Sequence, residues 1–156
     1  MASSPTSTHD RATEPRLATA PDIDLPRVRR RRSSVHGWGV FALEDIAKNR
    51  RILPYLGELI SHKESRQREA RYLEAGAIWC FTLNSRWVVD AHVGGNDARF
   101  VNHSCTPNCY AQVIDGVIWI RAAKTIERGQ ELTYDYRTDG SKTIACRCRP
   151  GCDARL

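Results

Sequence analysis

Cys146, Cys148 and Cys152 crowd the final stretch of the chain with almost no apolar residue beside them, and this cluster constrains the fold more than any other feature. So small a segment has no hydrophobic core of its own, and something outside it must hold it. The other cysteines of the six, Cys80, Cys105 and Cys109, lie far upstream. Without a secretory signal, closely spaced thiols point to a metal or to reactivity before they point to disulfides. Disulfide pairing is the alternative, and it requires an oxidising compartment.

The rest of the chain reads as one compact domain. A length of 156 residues, 41% of them hydrophobic and 27% charged, suits an ordinary soluble globular protein. No apolar run approaches the roughly 20 residues of a membrane-spanning helix. Residues 1–26 are rich in Ser, Thr, Pro and Ala and lack the apolar stretch of a signal peptide, so they read as a disordered leader. The expectation is a monomer kept inside a cell: nucleus or chromatin in a eukaryote, cytoplasm or a host's interior for a bacterium or virus. Net charge is +6, and much of the excess sits in Arg27, Arg29, Arg30, Arg31 and Arg32. The plain reading of that run is a solvated, self-repelling linker. The functional readings are a contact with nucleic-acid phosphates or a nuclear address, and charge alone does not choose.

From Val35 onward the texture is of short strand-like runs broken by Gly, Pro and Asn. Residues 40–46 and 51–59 are predicted strands, with Pro54 marking an edge or a bulge. One helix follows, opened by the capping-box spacing of Ser61 and Glu64 and stopped at Gly76. Its few apolar residues put it on the surface. Residues 79–83 and 87–91 form a predicted hairpin around Asn84-Ser85. Residues 110–114 and 117–121 form a second, turned by Asp115-Gly116 in a type I′ conformation. The class is mostly β, built from small antiparallel pieces. Gly94-Gly95-Asn96 and the stretch from Asn102 to Asn108 have no periodicity, and irregular backbone inside a small domain is often functional.

Two segments carry the chemistry: Arg99-Phe100-Val101-Asn102-His103-Ser104-Cys105-Thr106-Pro107-Asn108 and Gly129-Gln130-Glu131-Leu132-Thr133-Tyr134-Asp135-Tyr136. Ahead of them, His36-Gly37-Trp38-Gly39-Val40-Phe41 offers glycines that let backbone approach a ligand and a tryptophan face for stacking. Together these resemble the opening and the two signature motifs of SET-domain protein lysine methyltransferases. The resemblance extends from about Arg29 to Leu156, with a SET domain over 27–140. It implies a SET fold, small antiparallel sheets around a knot-like threading, with one surface helix. It further implies that the tail, 141–156, is a post-SET segment in which Cys146, Cys148 and Cys152 join Cys105 around one structural zinc ion. This chain has one residue fewer than usual between Cys148 and Cys152. Leu156 matches the apolar residue that anchors such a tail, and Cys109 is expected as a small buried residue, with a substitute zinc ligand as the alternative.

By the same resemblance, Gly37, Trp38, Gly39, Asn102 and His103 would bind S-adenosylmethionine. Trp79 would contact the cofactor too, although tyrosine is usual at its position. Tyr136 would stand beside the transferring methyl, and Tyr55, Phe81 and Tyr134 would line the lysine channel. A tyrosine at position 134 fills that channel and implies mainly monomethylation. The substrate implied is a lysine in a basic protein tail, a histone by analogy. Apart from the resemblance, Glu58 or Asp90 would select basic peptides if they faced the channel, and solvated surface is the equal alternative. The chemistry suits phenols: a lysine ammonium with a pKa near 10.4 must lose its proton before it attacks, and desolvation favours the neutral amine. A catalytically silent SET module that binds basic tails or nucleic acid is the second reading, and a small zinc-bearing DNA-binding protein the third. Retention of Asn102, His103 and Tyr136 favours the enzyme.

Overall fold

The computed structural model describes residues 23–138 and 144–156. Most of the expected leader, and the boundary expected between 140 and 141, lie outside the described residues. No described helix is long and apolar enough to cross a membrane.

The body is a set of small sheets. Strands β1 (Val28–Arg32) and β2 (Trp38–Ala42) form an antiparallel ribbon, and β3 (Arg51–Pro54), β9 (Val117–Ala122) and β8 (Cys109–Ile114) form a sheet in that spatial order. β4 (Glu58–Ser61), β6 (Trp87–Asp90) and β5 (Cys80–Thr82) form another. The last pair, β7 (Asn102–His103) and β10 (Thr133–Tyr134), is parallel, with Asn102 opposite Thr133 and His103 opposite Tyr134. This pairing lays the two signature segments side by side. Between the sheets lies a core of branched residues, among them Val40, Ile46, Ile52, Ile120, Ile126 and Leu132, each at most 1% exposed.

Local chemistry accounts for most elements. The β8–β9 hairpin turns through Asp115 (φ 50°) and Gly116 (φ 76°), the left-handed pair that a type I′ turn requires. The β5–β6 hairpin forms as predicted. Asn84 Oδ1 accepts from the Arg86 and Trp87 amides, both at 2.9 Å, to organise its loop. Helix α1 (His62–Glu74) begins at Ser61, whose hydroxyl accepts from the Glu64 amide at 3.2 Å, and Gly76 follows its end at φ 71°. The Glu64 carboxylate turns instead to Arg68, so only half of the capping box is made.

Three expectations needed correction. The predicted strand over 51–59 is two strands, β3 and β4, separated by Tyr55–Gly57. Asn96 holds the break open: its Nδ2 donates to Pro54 O at 2.9 Å and its Oδ1 accepts from Leu56 N at 3.3 Å. The predicted strand over 40–46 ends at Ala42, and Ile46 keeps only an isolated bridge to Ile126. The arginine run is not a linker. Arg29 to Arg32 belong to β1 and pair with β2, Arg32 opposite Trp38 and Arg30 opposite Val40.

Helix α1 buries only Ser65 and is docked by charge. Arg68 donates to Glu58 at 2.6 Å, to Asp90 at 2.7 Å and to Glu64 at 2.5 Å, while Tyr72 Oη donates to Asp90 at 2.8 Å. Asp90 is fully buried. Glu58 and Asp90 therefore bind the helix to the β4–β6–β5 sheet and do not face a substrate channel.

Candidate functional site

Two depressions share Ala77, Ile78 and Tyr136. The first is a cavity of about 230 Å³ lined by Gly37, Trp38, Trp79, Asn102, His103 and Tyr136, and closed on one side by Ile144, Cys146 and Leu156 of the tail. The second is a larger groove of about 860 Å³. The edge strands β5 and β8 run along it, and Tyr55, Phe81, Tyr134 and Tyr136 contribute to its floor.

Those aromatics are contiguous. Tyr55 meets Phe81 edge-on at 5.3 Å, Phe81 stacks on Tyr134 at 5.9 Å, and Tyr134 meets Tyr136 at 4.9 Å. Two hydroxyls are fixed by backbone carbonyls: Tyr55 Oη donates to Trp79 O and Tyr136 Oη to Val101 O, both at 2.9 Å. Burial drives the pKa of Tyr55, Tyr134 and Tyr136 well above that of a free phenol, and the Glu131 carboxylate adds to the effect at Tyr136. All three are neutral phenols at physiological pH, able to orient a nitrogen lone pair but not to act as phenolate bases.

Asn102 and His103 are both buried and both border the cavity. Asn102 Nδ2 donates to Trp38 O at 2.9 Å and to Glu131 Oε1 at 2.8 Å, which ties β7 to the glycine-rich turn. His103 Nδ1 accepts from the Tyr136 amide at 3.2 Å. Asp135 lies 3.7 Å from the same nitrogen, yet burial lowers the imidazole pKa against it. A ring nitrogen that accepts an N–H carries no proton, so His103 is neutral and its Nε2 bears the hydrogen.

Glu131 is a site residue that the motif reading did not single out, although it stands inside the second segment. Its carboxylate accepts from Ser33 Oγ at 2.8 and 2.9 Å as well as from Asn102. It also explains Gly39, which does not line the cavity: a Cβ there would stand 2.2 Å from Glu131 Oε1. Gly37, by contrast, lines the cavity at φ 45°, a left-handed conformation that favours glycine. Trp79 lines it as well, stacked on His92 at 4.7 Å. Arg99 is the second omission. Its Nε is the buried side-chain nitrogen without a partner among the described residues, and Arg99 borders the cavity. An unsatisfied guanidinium nitrogen, a neutral imidazole, a backbone cradle at Gly37 and the Trp38 face suit a ligand that carries a carboxylate and a flat heterocycle. S-adenosylmethionine has both.

Beside this cavity the sulfurs of Cys105, Cys146, Cys148 and Cys152 all lie within 4.8 Å of one another. Cys105 Sγ is 3.9 Å from Cys146 Sγ and 3.8 Å from Cys152 Sγ. Four thiolates about 2.3 Å from one zinc ion, at the corners of a tetrahedron, stand about 3.8 Å apart, whereas a disulfide needs about 2.05 Å. The separations fit a closed zinc site and exclude the disulfide alternative in this arrangement. The Cys105 backbone amide lowers the Cys148 thiol pKa, which favours the thiolate a metal takes. The shortened spacing is absorbed at Gly151, whose φ of 71° lets Cys152 turn back so that its amide donates to Arg149 O at 3.2 Å. Cys109 lies in the core at 1% exposure, and Cys80 stands apart from the sulfur cluster.

The SET domain profile matches residues 37–137. The chain is 42% identical, over 80% of its length, to a histone-lysine N-methyltransferase, H3 lysine-4 specific, of Yarrowia lipolytica, and covers 12% of that protein. It is 43% identical over 83% of its length to a protein of the same description from Aspergillus oryzae, covering 11% of it. A histone-lysine N-methyltransferase of Dictyostelium discoideum is 38% identical over 83% of the chain, which covers 9% of it. The chain thus spans about a tenth of the length of the curated relatives it matches.

Proposed function

Because the chain belongs to the SET-domain family, we propose that it is a protein-lysine N-methyltransferase that uses S-adenosylmethionine, with a histone tail as substrate and lysine 4 of H3 as the first target to test. We assign 27–140 to the SET domain and 141–156 to a zinc-binding post-SET segment. The observation that carries this reading is that Tyr136 lines both the smaller cavity and the larger groove. A methyl donor held on one side and a peptide held on the other would meet at its ring.

In this reading Gly37, Trp38, Asn102 and His103 hold the cofactor, with Trp79 and Arg99 completing the cavity wall. S-adenosylmethionine supplies an electrophilic methyl on a sulfonium. An extended peptide in the groove can pair with the free edges of β5 and β8. Its lysine would pass Tyr55, Phe81 and Tyr134, lose its hydration shell and so favour the neutral amine. Tyr136, whose hydroxyl donates to Val101 O, would accept an N–H of that amine and so hold its nitrogen for attack on the methyl the cofactor would supply. Tyr134, buried between Phe81 and Tyr136, narrows the passage and supports one methyl as the main product. A histone substrate would put the protein at chromatin.

The test is intact-mass analysis of core histones after incubation with the zinc-loaded protein and S-adenosylmethionine. The expected product is one added methyl, and Tyr136→Phe is expected to lower the rate about 100-fold or more while cofactor affinity stays within about twofold. The rate should rise with pH toward the lysine pKa of about 10.4, because only the deprotonated amine attacks, while burial keeps the Tyr136 phenol protonated well beyond its ordinary range. Cofactor binding without transfer to any histone would favour the silent module; unchanged activity in Tyr136→Phe would remove Tyr136 from the mechanism.

A further inference from the structure

The arginine run acquires a different meaning once it is a strand. Arg29, Arg30, Arg31 and Arg32 are all exposed on β1. Among the described residues no carboxylate stands within ion-pair distance of any of them, while neighbouring Arg27 is paired with Glu44 at 2.7 Å. In the sheet order β1 has β2 on one side and no described strand on the other. Strand geometry sends Arg29 and Arg31 to one face and Arg30 and Arg32 to the other, with successive residues of a face roughly 6.6 Å apart.

Three of the four guanidiniums lie on aromatic rings. Arg30 lies 5.0 Å from the Trp38 ring centre and 4.8 Å from that of Phe100, Arg32 is 4.4 Å from Trp38, and Arg31 is 4.3 Å from Phe41. Trp38 itself remains 39% exposed. A merely solvated charge run has no need of such order. Stacking restricts rotamers before any partner arrives, so less side-chain entropy remains to be lost on binding. Like charge held at fixed spacing along an unpaired edge wants a polyanion.

We propose that β1 is a contact surface for the sugar–phosphate backbone of nucleic acid, read without regard to base sequence. The regular spacing suits successive phosphates, and the planar guanidinium fork binds a phosphate through two hydrogen bonds. An extended acidic peptide points alternate carboxylates away from the strand, whereas every unit of a nucleic-acid backbone carries a charge, so nucleic acid is the better occupant. Arg30 and Arg32 stack on Trp38, which also lines the cavity, so the surface adjoins the cofactor site without depending on methyl transfer.

The test is fluorescence anisotropy of a short labelled DNA duplex of arbitrary sequence, titrated with the zinc-loaded full chain over a range of salt concentrations. Each neutralised phosphate contributes about −0.9 to the slope of log K against log salt, so the two arginines of one face of β1, Arg29 and Arg31, should give a slope of about −2. Arg29→Gln/Arg31→Gln should flatten it by about 2, and Arg29→Lys/Arg31→Lys should leave it unchanged. Hydrogen exchange of the unaltered protein should show duplex-dependent protection at β1, a readout that needs no variant to fold. Protection confined to other elements, an unaltered slope in a folded Gln variant, or poly-glutamate binding as tightly through the same arginines would each overturn the proposal, the last in favour of an acidic protein.

Discussion

At the scale of single residues, the cavity is set by what surrounds Asn102. Its amide nitrogen is claimed by Trp38 O and by Glu131, and Glu131 is held in turn by Ser33. Gly39 leaves the room in which that carboxylate sits. Gly39→Ala would drive a Cβ into a pinned carboxylate, break its bond to Asn102 and free the side chain that borders the cavity. Losing a hydrogen bond to a charged group costs about 1.5–3 kcal/mol, so cofactor affinity should fall roughly 10- to 100-fold in Gly39→Ala and similarly in Glu131→Ala. Because both changes remove the same contact, Gly39→Ala/Glu131→Ala should be no worse than either alone, as measured by calorimetric titration with S-adenosylmethionine. Additive losses would mean that Gly39 and Glu131 act independently. This relationship was not legible in the sequence. Gly37, Trp38, Asn102 and His103 could be read from local motifs, whereas the Gly39–Glu131 contact joins residues far apart in the chain, and only the fold brings them together.

At the scale of elements, hairpins were the most legible, because the turn residues that specify them sit inside the element: Asp115-Gly116 fixes β8–β9 with no help from elsewhere. The strand break at Tyr55–Gly57 was not, because its cause is Asn96, from another loop. The β1 strand was missed for a related reason: arginines repel when read alone, and the rings that receive them, Trp38, Phe41 and Phe100, come later in the chain. Helix α1 was placed correctly by Ser61 and Gly76, yet nothing in its periodicity reveals what docks it. With little apolar surface to bury, it depends on Arg68 reaching the buried Asp90. Arg68→Ala leaves that carboxylate with only the Tyr72 hydroxyl and the His92 amide as donors. Removing one partner of a buried pair typically costs about 3 kcal/mol or more, and urea denaturation should show a loss of that order. A change under about 0.5 kcal/mol would mean that the helix is held by something other than this ion cluster.

At the scale of the whole molecule, the tail and the body share one site without sharing a core. Ile144 and Leu156 pair with each other through backbone hydrogen bonds of 3.1 and 2.8 Å, so the tail makes a small closed loop that meets the body at the cavity rim and at Cys105. The resemblance to a post-SET motif made the four-sulfur cluster legible and implied a tail lying over the lysine channel; the described tail instead walls the smaller cavity, a placement that depends on where Cys105 sits after β7. If zinc clamps the tail, removing the metal should open the cavity while leaving the β-sheet core folded. A chelator strong enough to strip zinc should therefore weaken S-adenosylmethionine binding at least tenfold and lower the melting temperature, with far-UV circular dichroism of the body little changed. Cys152→Ser should reproduce both losses in the absence of chelator, whereas Cys109→Ser, altering a thiol in the core, should keep the metal. Native mass spectrometry provides the independent readout: one zinc on the unaltered chain and none on Cys152→Ser. Chelation that removes the ion but leaves cofactor affinity intact would separate the tail from the cavity and reduce the metal to a local clasp. Loss of the whole fold would instead make the zinc a keystone of the domain, a result the self-contained core of Val40, Ile52, Ile120 and Leu132 argues against.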